Sequence, residues 1–380
     1  MTTRMLRITA LCLAIVLLLA GLVRTLLHPV TEIYYENRPA NQISPFSTES
    51  FRDGVFQASV EDALADQTPL AIKMKKLYNI FDAQLSLPIA QRLAVAGRYV
   101  SYRKICFYRD MLVLRPEMPH ERADLLDTAR ELVNFWSAAL PDTELFLYYI
   151  ETDRDINLQT GEKSEIFAYL TDGLALPKEH VGKLNIDSFD DYRRDFLGTD
   201  HHWNSIGAYR AYLQLCQMLE LTPLETDGVY TDHGHYLGTR AAGIEGVTPE
   251  DFSVVLYRYP PLAVSSCGDS FEDYGMQRQF IDGELPVFSY GSVFGGDGGE
   301  ILFDTGSEGR TALILGDSYD NAILKALASG FGRTWSVDLR AYRNDTGKSF
   351  DLPSYVADHD VDVVLFIGGI DFYSSTLLLS

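Results

Sequence analysis

Thr311-Ala-Leu-Ile-Leu-Gly-Asp-Ser-Tyr-Asp320 is an aliphatic run that stops at a Gly316-Asp317-Ser318 turn, and a helical stretch through Ile323, Leu324 and Leu327 follows it. A continuous apolar run bounded by a turn and a helix is the pattern of a strand buried on both faces, as in a parallel sheet covered by helices. Ser318 is thereby placed at the carboxyl end of its strand, where ligands of open α/β sheets bind. A helix N-terminus there directs N–H groups at developing negative charge, and a nucleophilic serine can add its own backbone N–H. The same triplet is also an ordinary turn with Asp or Ser as an N-cap, so it speaks for the fold before it speaks for any chemistry.

The pattern recurs on either side. Pro119 opens a helix with Leu125, Ala129, Leu132 and Trp136 along one face, Pro141 ends it, and the strand Leu145 to Ile150 follows. Val361 to Ile367 is a second continuous aliphatic strand. Helices alternating with buried strands predict an α/β fold with a mostly parallel sheet covered on both faces. Upstream, residues 28 to about 59 are polar and aperiodic and read as linker. Gln67 to about Leu87 has Leu70, Met74, Leu77 and Phe81 at helical spacing, and Tyr99 to Leu114 reads as hairpin-like strands. Between about Leu221 and Arg310 the pattern breaks into turns and short strands, which is read as an insertion. Its glycines Gly291, Gly295, Gly296, Gly298 and Gly299 lack the Lys and Ser/Thr of a phosphate loop and read as a hairpin loop.

The chain has 380 residues, 46% of them hydrophobic, enough for one large domain or two smaller ones. Its formal net charge of -21 argues against a basic surface for nucleic acid or anionic lipid, because phosphate contacts need clustered Lys and Arg. Arg4 and Arg7 precede an uncharged run from Ile8 to Val23, the layout of a secretory signal or signal anchor. No small-x-small cleavage site follows Ala20, which favours an uncleaved single-pass anchor, with everything after about Leu27 extracytoplasmic by the positive-inside rule. The expected organisation is an anchor over 1–28, a stalk and helical region over 29–98, and the α/β domain over 99–380. Cys12 lies in the apolar run, and Cys106, Cys216 and Cys267 form no paired spacing, so no disulfide framework is expected.

A second motif, Thr199-Asp200-His201-His202-Trp203, precedes Asn204 as N-cap and a helix with Ile206, Tyr209, Leu213 and Cys216 on one face. A serine hydroxyl is a weak nucleophile at neutral pH; it needs an imidazole to take its proton and a carboxylate to fix that ring's tautomer. Two residues apart in an extended or turn segment, Asp200 can reach Nδ1 of His202 while His201 points elsewhere. A capping Asp beside a surface His gives the same local pattern.

Taken together, Asp200-His201-His202-Trp203 and the downstream Gly316-Asp317-Ser318 resemble the bacterial DHHW protein family, which is similar to the alginate O-acetyltransferase proteins with an SGNH-hydrolase-like domain. Thr199, Asp200, His202, Trp203 and Ser318 match the relatives' motifs position by position. The resemblance covers roughly Tyr99 to the C-terminus. It implies a flavodoxin-like, SGNH-type three-layer α/β/α domain, secreted or anchored, with Ser318 as nucleophile, His202 as base and Asp200 as orienting acid. It further implies action on acyl esters of a cell-envelope glycan, as an O-acetyltransferase or esterase, without a cofactor. A membrane acyl-exporting partner would fit such a role. The order Asp, His, Ser is permuted relative to common SGNH esterases, which is no objection, because a triad is defined by geometry.

Val361-Asp-Val-Val-Leu-Phe-Ile-Gly-Gly-Ile-Asp371 resembles the strand that ends in Gly-x-Asn-Asp in typical SGNH enzymes, but Ile370 stands where the oxyanion-hole Asn would be. Losing one such donor can lower a rate on the order of a hundredfold. The Ser318 N–H, a Gly368 or Gly369 N–H, or Arg340 in the strand-like Trp335 to Tyr342 are the substitutes, and Trp203 is a candidate substrate contact. The missing donor keeps a second class open, a non-catalytic glycan-binding or assembly protein of the same fold. A third is a metal-dependent hydrolase, since Asp232-His233-Gly-His235 and the Asp200 group hold enough N and O ligands for zinc. No metal-ligand spacing supports it, and no metal is expected.

Overall fold

Thr311–Leu315 forms an interior strand of an eight-stranded sheet, because every side chain from Ala312 to Leu315 finds an apolar layer to enter. The computed structural model describes residues 3–27, 31–33, 38–67, 71–241, 244, 246–270, 290–294 and 298–375. In chain order the sheet comprises β1 (Glu144–Ile150), β2 (Val181–Leu184), β3 (Ala263–Ser266), β4 (Asp269–Ser270), β5 (Ile301–Asp304), β6 (Thr311–Leu315), β7 (Arg333–Val337) and β8 (Val363–Gly368). Its spatial order is β4-β3-β5-β7-β6-β8-β1-β2. The five strands from β7 to β2 run parallel, and β5, β3 and β4 extend one edge antiparallel. The parallel strands therefore share one carboxyl edge, and the Gly316-Asp317-Ser318 turn leaves β6 along it.

Side-chain alternation divides the strands between two cores. Leu145, Leu147 and Tyr149 of β1, Leu313 and Leu315 of β6, and Val364 and Phe366 of β8 pack with helices Ala123–Ala139 and Leu352–His359. Trp136 of the first of these helices stacks on Phe366, with ring centroids 5.6 Å apart and planes 6° apart. The intervening residues, among them Phe146, Tyr148, Ile314 and Leu365, pack with helices Ser205–Met218 and Leu324–Ala328. The result is a mixed α/β fold around a large, mostly parallel sheet. The continuous hydrophobicity of β6 and β8 has its cause here, since neither strand has a face in water.

Several local expectations change. The expected linker over 28–59 contains helix Thr48–Arg52 and the start of helix Val55–Gln67. The former is closed by a capping box in which Ser47 and Ser50 exchange side-chain and backbone bonds, a cap that period counting does not detect. The helix read over 67–87 runs Ala71–Val95, and Met74, Leu77 and Phe81, which carry its helical spacing, are exposed; Leu70 lies outside the described residues. The segment Leu221–Arg310 is only partly an insertion, because β3, β4 and β5 belong to the main sheet. What stands outside that sheet is an antiparallel ribbon of Thr226–Tyr236 paired with Glu250–Tyr257. Gly291 lies in helix Tyr290–Phe294 rather than in a hairpin loop; Gly295 and Gly296 lie outside the described residues. The strand read from Trp335 to Tyr342 ends at Val337, where Asp338 caps helix Leu339–Thr346.

The chain divides into two compact units, Met1–Arg92 with Ala241–Val247, and Leu93–Arg240 with Thr248–Ser380. In the first, helix Thr3–Leu27 is long and apolar enough over Arg7–Arg24 to cross a membrane, the pattern of a single-pass anchor or a signal sequence. The second holds the sheet and both sequence motifs.

Within the second unit a buried ion pair ties the segment after the ribbon's first strand to the sheet. Arg240 meets Asp153, just past β1, at 2.8 Å, and donates to the Leu112 carbonyl at 2.9 Å and the Tyr192 hydroxyl at 2.8 Å. Removing one partner of such a pair strands the other charge in low dielectric. Arg240→Met is expected to lower stability by about 3–5 kcal/mol, read as a lower urea midpoint with an unchanged slope.

Candidate active site

Both motifs are built from turns held by their own backbone. After β6, Gly316 passes so close to the Asp320 carboxylate that a Cβ at 316 would force that side chain to move. Asp317 accepts the Tyr319 N–H at 3.1 Å, and the Asp320 N–H returns to the Asp317 carbonyl at 3.0 Å. Burial pushes the Asp317 carboxyl up to about 6, opposed by the Tyr319 N–H and the nearby Arg340 charge. In the other motif, Phe196 and Trp203 form an isolated antiparallel bridge, and Asn204 caps helix Ser205–Met218 by accepting from Ile206 N–H at 2.9 Å and Gly207 N–H at 3.1 Å. Gly207 is fixed by contact, since its Cβ would stand 2.3 Å from the Asp195 carbonyl. Asp200, His201 and His202 lie in the loop that this bridge closes, between Phe196 and Trp203.

The fold brings the two motifs together. His202 Nε2 lies 2.8 Å from Ser318 Oγ, and His202 Nδ1 lies 3.2 Å from Asp200 Oδ1. With the Nδ1 proton directed at the carboxylate, Nε2 is left to accept the serine hydroxyl. The His202 ring stacks on Tyr290, centroids 3.8 Å apart and planes 1° apart, which fixes the ring's plane.

Asp200 is fully buried, and burial alone would raise its pKa. Hydrogen bonds from His201 and His202 and the charge of those rings outweigh burial and hold the carboxyl well below the usual range. Its Oδ1 also accepts the His201 N–H at 2.6 Å and the Thr239 hydroxyl at 2.7 Å, and its Oδ2 accepts the Tyr236 hydroxyl. One expectation is corrected here: His201 does not point away. Its Nδ1 lies 2.9 Å from the same Asp200 oxygen and 2.8 Å from Thr239 Oγ1, because the chain bends through both residues and turns the His201 ring back onto the carboxylate.

The other candidates fall out differently. Trp203 is buried, with its ring edge-on to Tyr319, and its indole N–H has no partner among the described residues. With Phe252, Tyr257, Tyr290, Phe294 and Lys325 it lines a cavity of about 290 Å³, whose lining reaches the triad only through Tyr290, the residue stacked on His202. Gly369 caps the short helix Ile370–Tyr373 at the carboxyl end of β8, and Ile370 itself is buried in the core. Arg340 lies in the first turn of a helix, where its guanidinium pairs with the Asp338 carboxylate at 2.5 Å. Among the described residues one group of three metal-type ligands occurs, Asp200, His201 and His202, with ligand atoms within 4.8 Å of one another. His233 and His235 are not part of it; they pair with Asp251 and Asp232 at 2.9 and 2.7 Å at an exposed part of the ribbon.

Sequence reasoning missed Tyr236, Thr239, Glu250 and Tyr290, the residues that surround Asp200 and His202. All four lie in the segment read as an insertion, and no spacing there marks them.

No family model and no curated protein matches the chain. Solved structures do. PatB1 of Bacillus cereus superposes with a TM-score of 0.55 at 16% identity, over 74% of this chain and 98% of that one. The same protein bearing a sulfonyl adduct gives 0.54 at 16% identity, over 74% and 97%. A DHHW family protein from Eubacterium siraeum gives 0.54 at 17% identity, over 74% and 96%. The resemblance read from Asp200-His201-His202-Trp203 thus has a counterpart in three dimensions: this chain shares its fold with a DHHW family protein and with PatB1.

Proposed function

We propose that the protein is an extracytoplasmic serine acyl-transfer enzyme, with Ser318, His202 and Asp200 as nucleophile, base and orienting acid. The observation that carries this reading is the 2.8 Å contact between His202 and Ser318, which closes an Asp–His–Ser chain across 116 residues of sequence. Either motif alone has an ordinary explanation as a turn or a cap. A buried imidazole poised between a carboxylate and the hydroxyl at a strand's carboxyl end is the arrangement that serine activation requires. That PatB1, a neighbour in fold, carries a sulfonyl adduct agrees with a reactive nucleophile on this scaffold.

In the first step His202 Nε2 takes the Ser318 proton as Oγ attacks an ester carbonyl, and Asp200 stabilises the imidazolium. Collapse of the tetrahedral intermediate breaks the ester bond, and His202 returns the proton to the departing alcohol, leaving an acyl-serine. In the second step a water or sugar hydroxyl gives its proton to His202 and attacks the acyl-serine; the tetrahedral intermediate collapses with breakage of the acyl–Oγ bond, and His202 returns the proton to Ser318 Oγ. Water makes an esterase and a sugar hydroxyl makes an O-acyltransferase. In this reading the order Asp200, His202, Ser318 is the permuted SGNH order, the Ser318 N–H and the Gly369 N–H at the neighbouring strand end serve the oxyanion, and Arg340 serves Asp338 and Asp317 instead. The aromatic walls of the cavity that Trp203 and Tyr290 line suit a sugar ring or acyl group. The resemblance to alginate O-acetyltransferase proteins directs the proposal to acetyl transfer on a cell-envelope polysaccharide, with Thr3–Leu27 as the anchor.

The test is hydrolysis of 4-nitrophenyl acetate by the detergent-solubilised full chain, beside labelling with a fluorophosphonate and a sulfonyl fluoride. Ser318→Ala and His202→Ala are each expected to lower turnover by about 10⁴-fold, and peptide mass analysis should find the label on Ser318. A parent with neither turnover nor label overturns the enzyme reading in favour of a non-catalytic glycan-binding protein. Chelation with EDTA should leave turnover and labelling unchanged; loss of turnover on chelation with recovery on adding Zn²⁺ would instead assign Asp200, His201 and His202 to a metal.

A further inference from the structure

The ribbon Thr226–Tyr236/Glu250–Tyr257 and the segment that leaves it meet the triad acid from outside the sheet. Tyr236, the last residue of its first strand, donates its hydroxyl to Asp200 Oδ2, and Thr239, three residues on, donates to Oδ1 at 2.7 Å. Opposite Tyr236 in the register stands Glu250. Its carboxylate accepts the Gly198 N–H at 2.8 Å and both the N–H and the hydroxyl of Thr199 at 2.6 Å, so it holds the two residues that lead into Asp200. Thr199 Oγ1 accepts in turn from the Gly238 N–H at 2.9 Å. Gly238 packs so tightly that a Cβ there would stand 2.4 Å from the Asp200 Cβ. The paired strand ends thus grip the acid's backbone and its side chain at once. Behind them the ribbon packs through Phe252 and Val254 with Tyr290, the residue stacked on His202.

We propose that this ribbon is a clamp that sets the strength of the triad acid, with Tyr236 and Thr239 as positioning residues for Asp200 and Glu250 as the anchor of the turn that carries it. The proposal rests on the triad reading above and adds to it that the reactivity of the Ser–His pair is adjusted from outside the α/β sheet. The physical basis is competition for one carboxylate. Asp200 divides its negative charge among Tyr236, Thr239, the His201 N–H and the two imidazoles, so each donor present weakens its pull on the His202 imidazolium. Removing the two hydroxyls concentrates that charge on His202, which then holds its proton to higher pH. It also frees the carboxylate to rotate, which loosens the ring alignment that the attack on Ser318 requires.

The experiment compares pH–rate profiles for the full chain in detergent with those of Tyr236→Phe, Thr239→Val and the double variant. Thr239 is solvent-exposed, so Thr239→Val gives a variant whose folding is not at risk. Thr231→Val serves as a ribbon control, because it removes a 2.8 Å hydroxyl contact with Ser253 far from the acid. The double variant should show the acidic limb of kcat moved to higher pH by about half a unit. Its plateau kcat should fall by roughly tenfold at little changed KM. Thr239→Ser should restore the parent profile at that position, and Thr231→Val should leave it unmoved. Variants that lose melting temperature but keep the parent's acidic limb would overturn the proposal and leave the ribbon a structural element. Labelling of Ser318 in the parent separates this outcome from failure of the triad reading, which would show as an unlabelled parent.

Discussion

A carboxylate buried as completely as Asp200 must either be surrounded by donors or give up its charge. The surroundings of this site follow from that requirement. His201 and His202 turn their Nδ1 atoms onto one of its oxygens, Thr239 reaches the same oxygen, and Tyr236 takes the other. The turn that holds the three motif residues is tight because its side chains converge on one acceptor. Such a turn needs support, and Glu250 supplies it through the backbone of Gly198 and Thr199. Glu250 is itself pushed up in pKa by burial, opposed by those same bonds, so two carboxylates lie close together and each persists because the loop between them donates to both.

The sheet provides the other half of the constraint. Parallel strands with a common carboxyl edge bring the turn after β6 and the glycines after β8 to one line, and the Asp200 loop arrives from a helix-capping segment of the Ser205–Met218 layer. Apolar packing fixes where the edge lies, because every described side chain of β8 is buried and cannot slip by one residue without inverting both cores. Polar contacts then fix the loops to that edge. Arg240 and Asp153 do this below the ribbon, Asp338 and Arg340 beside the serine turn, and Tyr319 through a 2.7 Å bond from its hydroxyl to the His201 carbonyl. That last bond runs directly between the two motifs.

Much of this was legible in the sequence where a local period or a turn residue carries the physics. β6, β8 and β1 were legible because a strand with no face in water must be continuously apolar, and helix Ala123–Ala139 because Pro119 and Pro141 bracket it. Asn204 was legible as a cap because its short amide satisfies N–H groups two and three residues ahead. The failures share a cause as well. Thr48–Arg52 forms a helix on short-range capping that an apolar period does not reveal. Met74, Leu77 and Phe81 do form a helical stripe, but period alone does not state what covers a stripe. Ala263–Ser266, Asp269–Ser270 and Ile301–Asp304 extend the main sheet although their pattern is interrupted, since strands of two to four residues are too short for an apolar period to show.

For the candidate site the division is sharper. The sequence by itself determined the residue types and their local setting: a serine after a buried strand, an Asp-His-His-Trp segment before a capped helix, and an apolar N-terminal helix. These depend on interactions within a few residues, which chain order encodes directly. The tertiary structure alone decided that His202 meets Ser318, that His201 joins rather than avoids Asp200, and that Tyr236, Thr239 and Glu250 complete the acid's environment. Apart from the His201–Asp200 pair, those contacts join residues 36 to 116 positions apart. A hydrogen bond of that range has no periodicity and no composition; it exists only because packing two apolar cores against one sheet brings its partners within 3 Å.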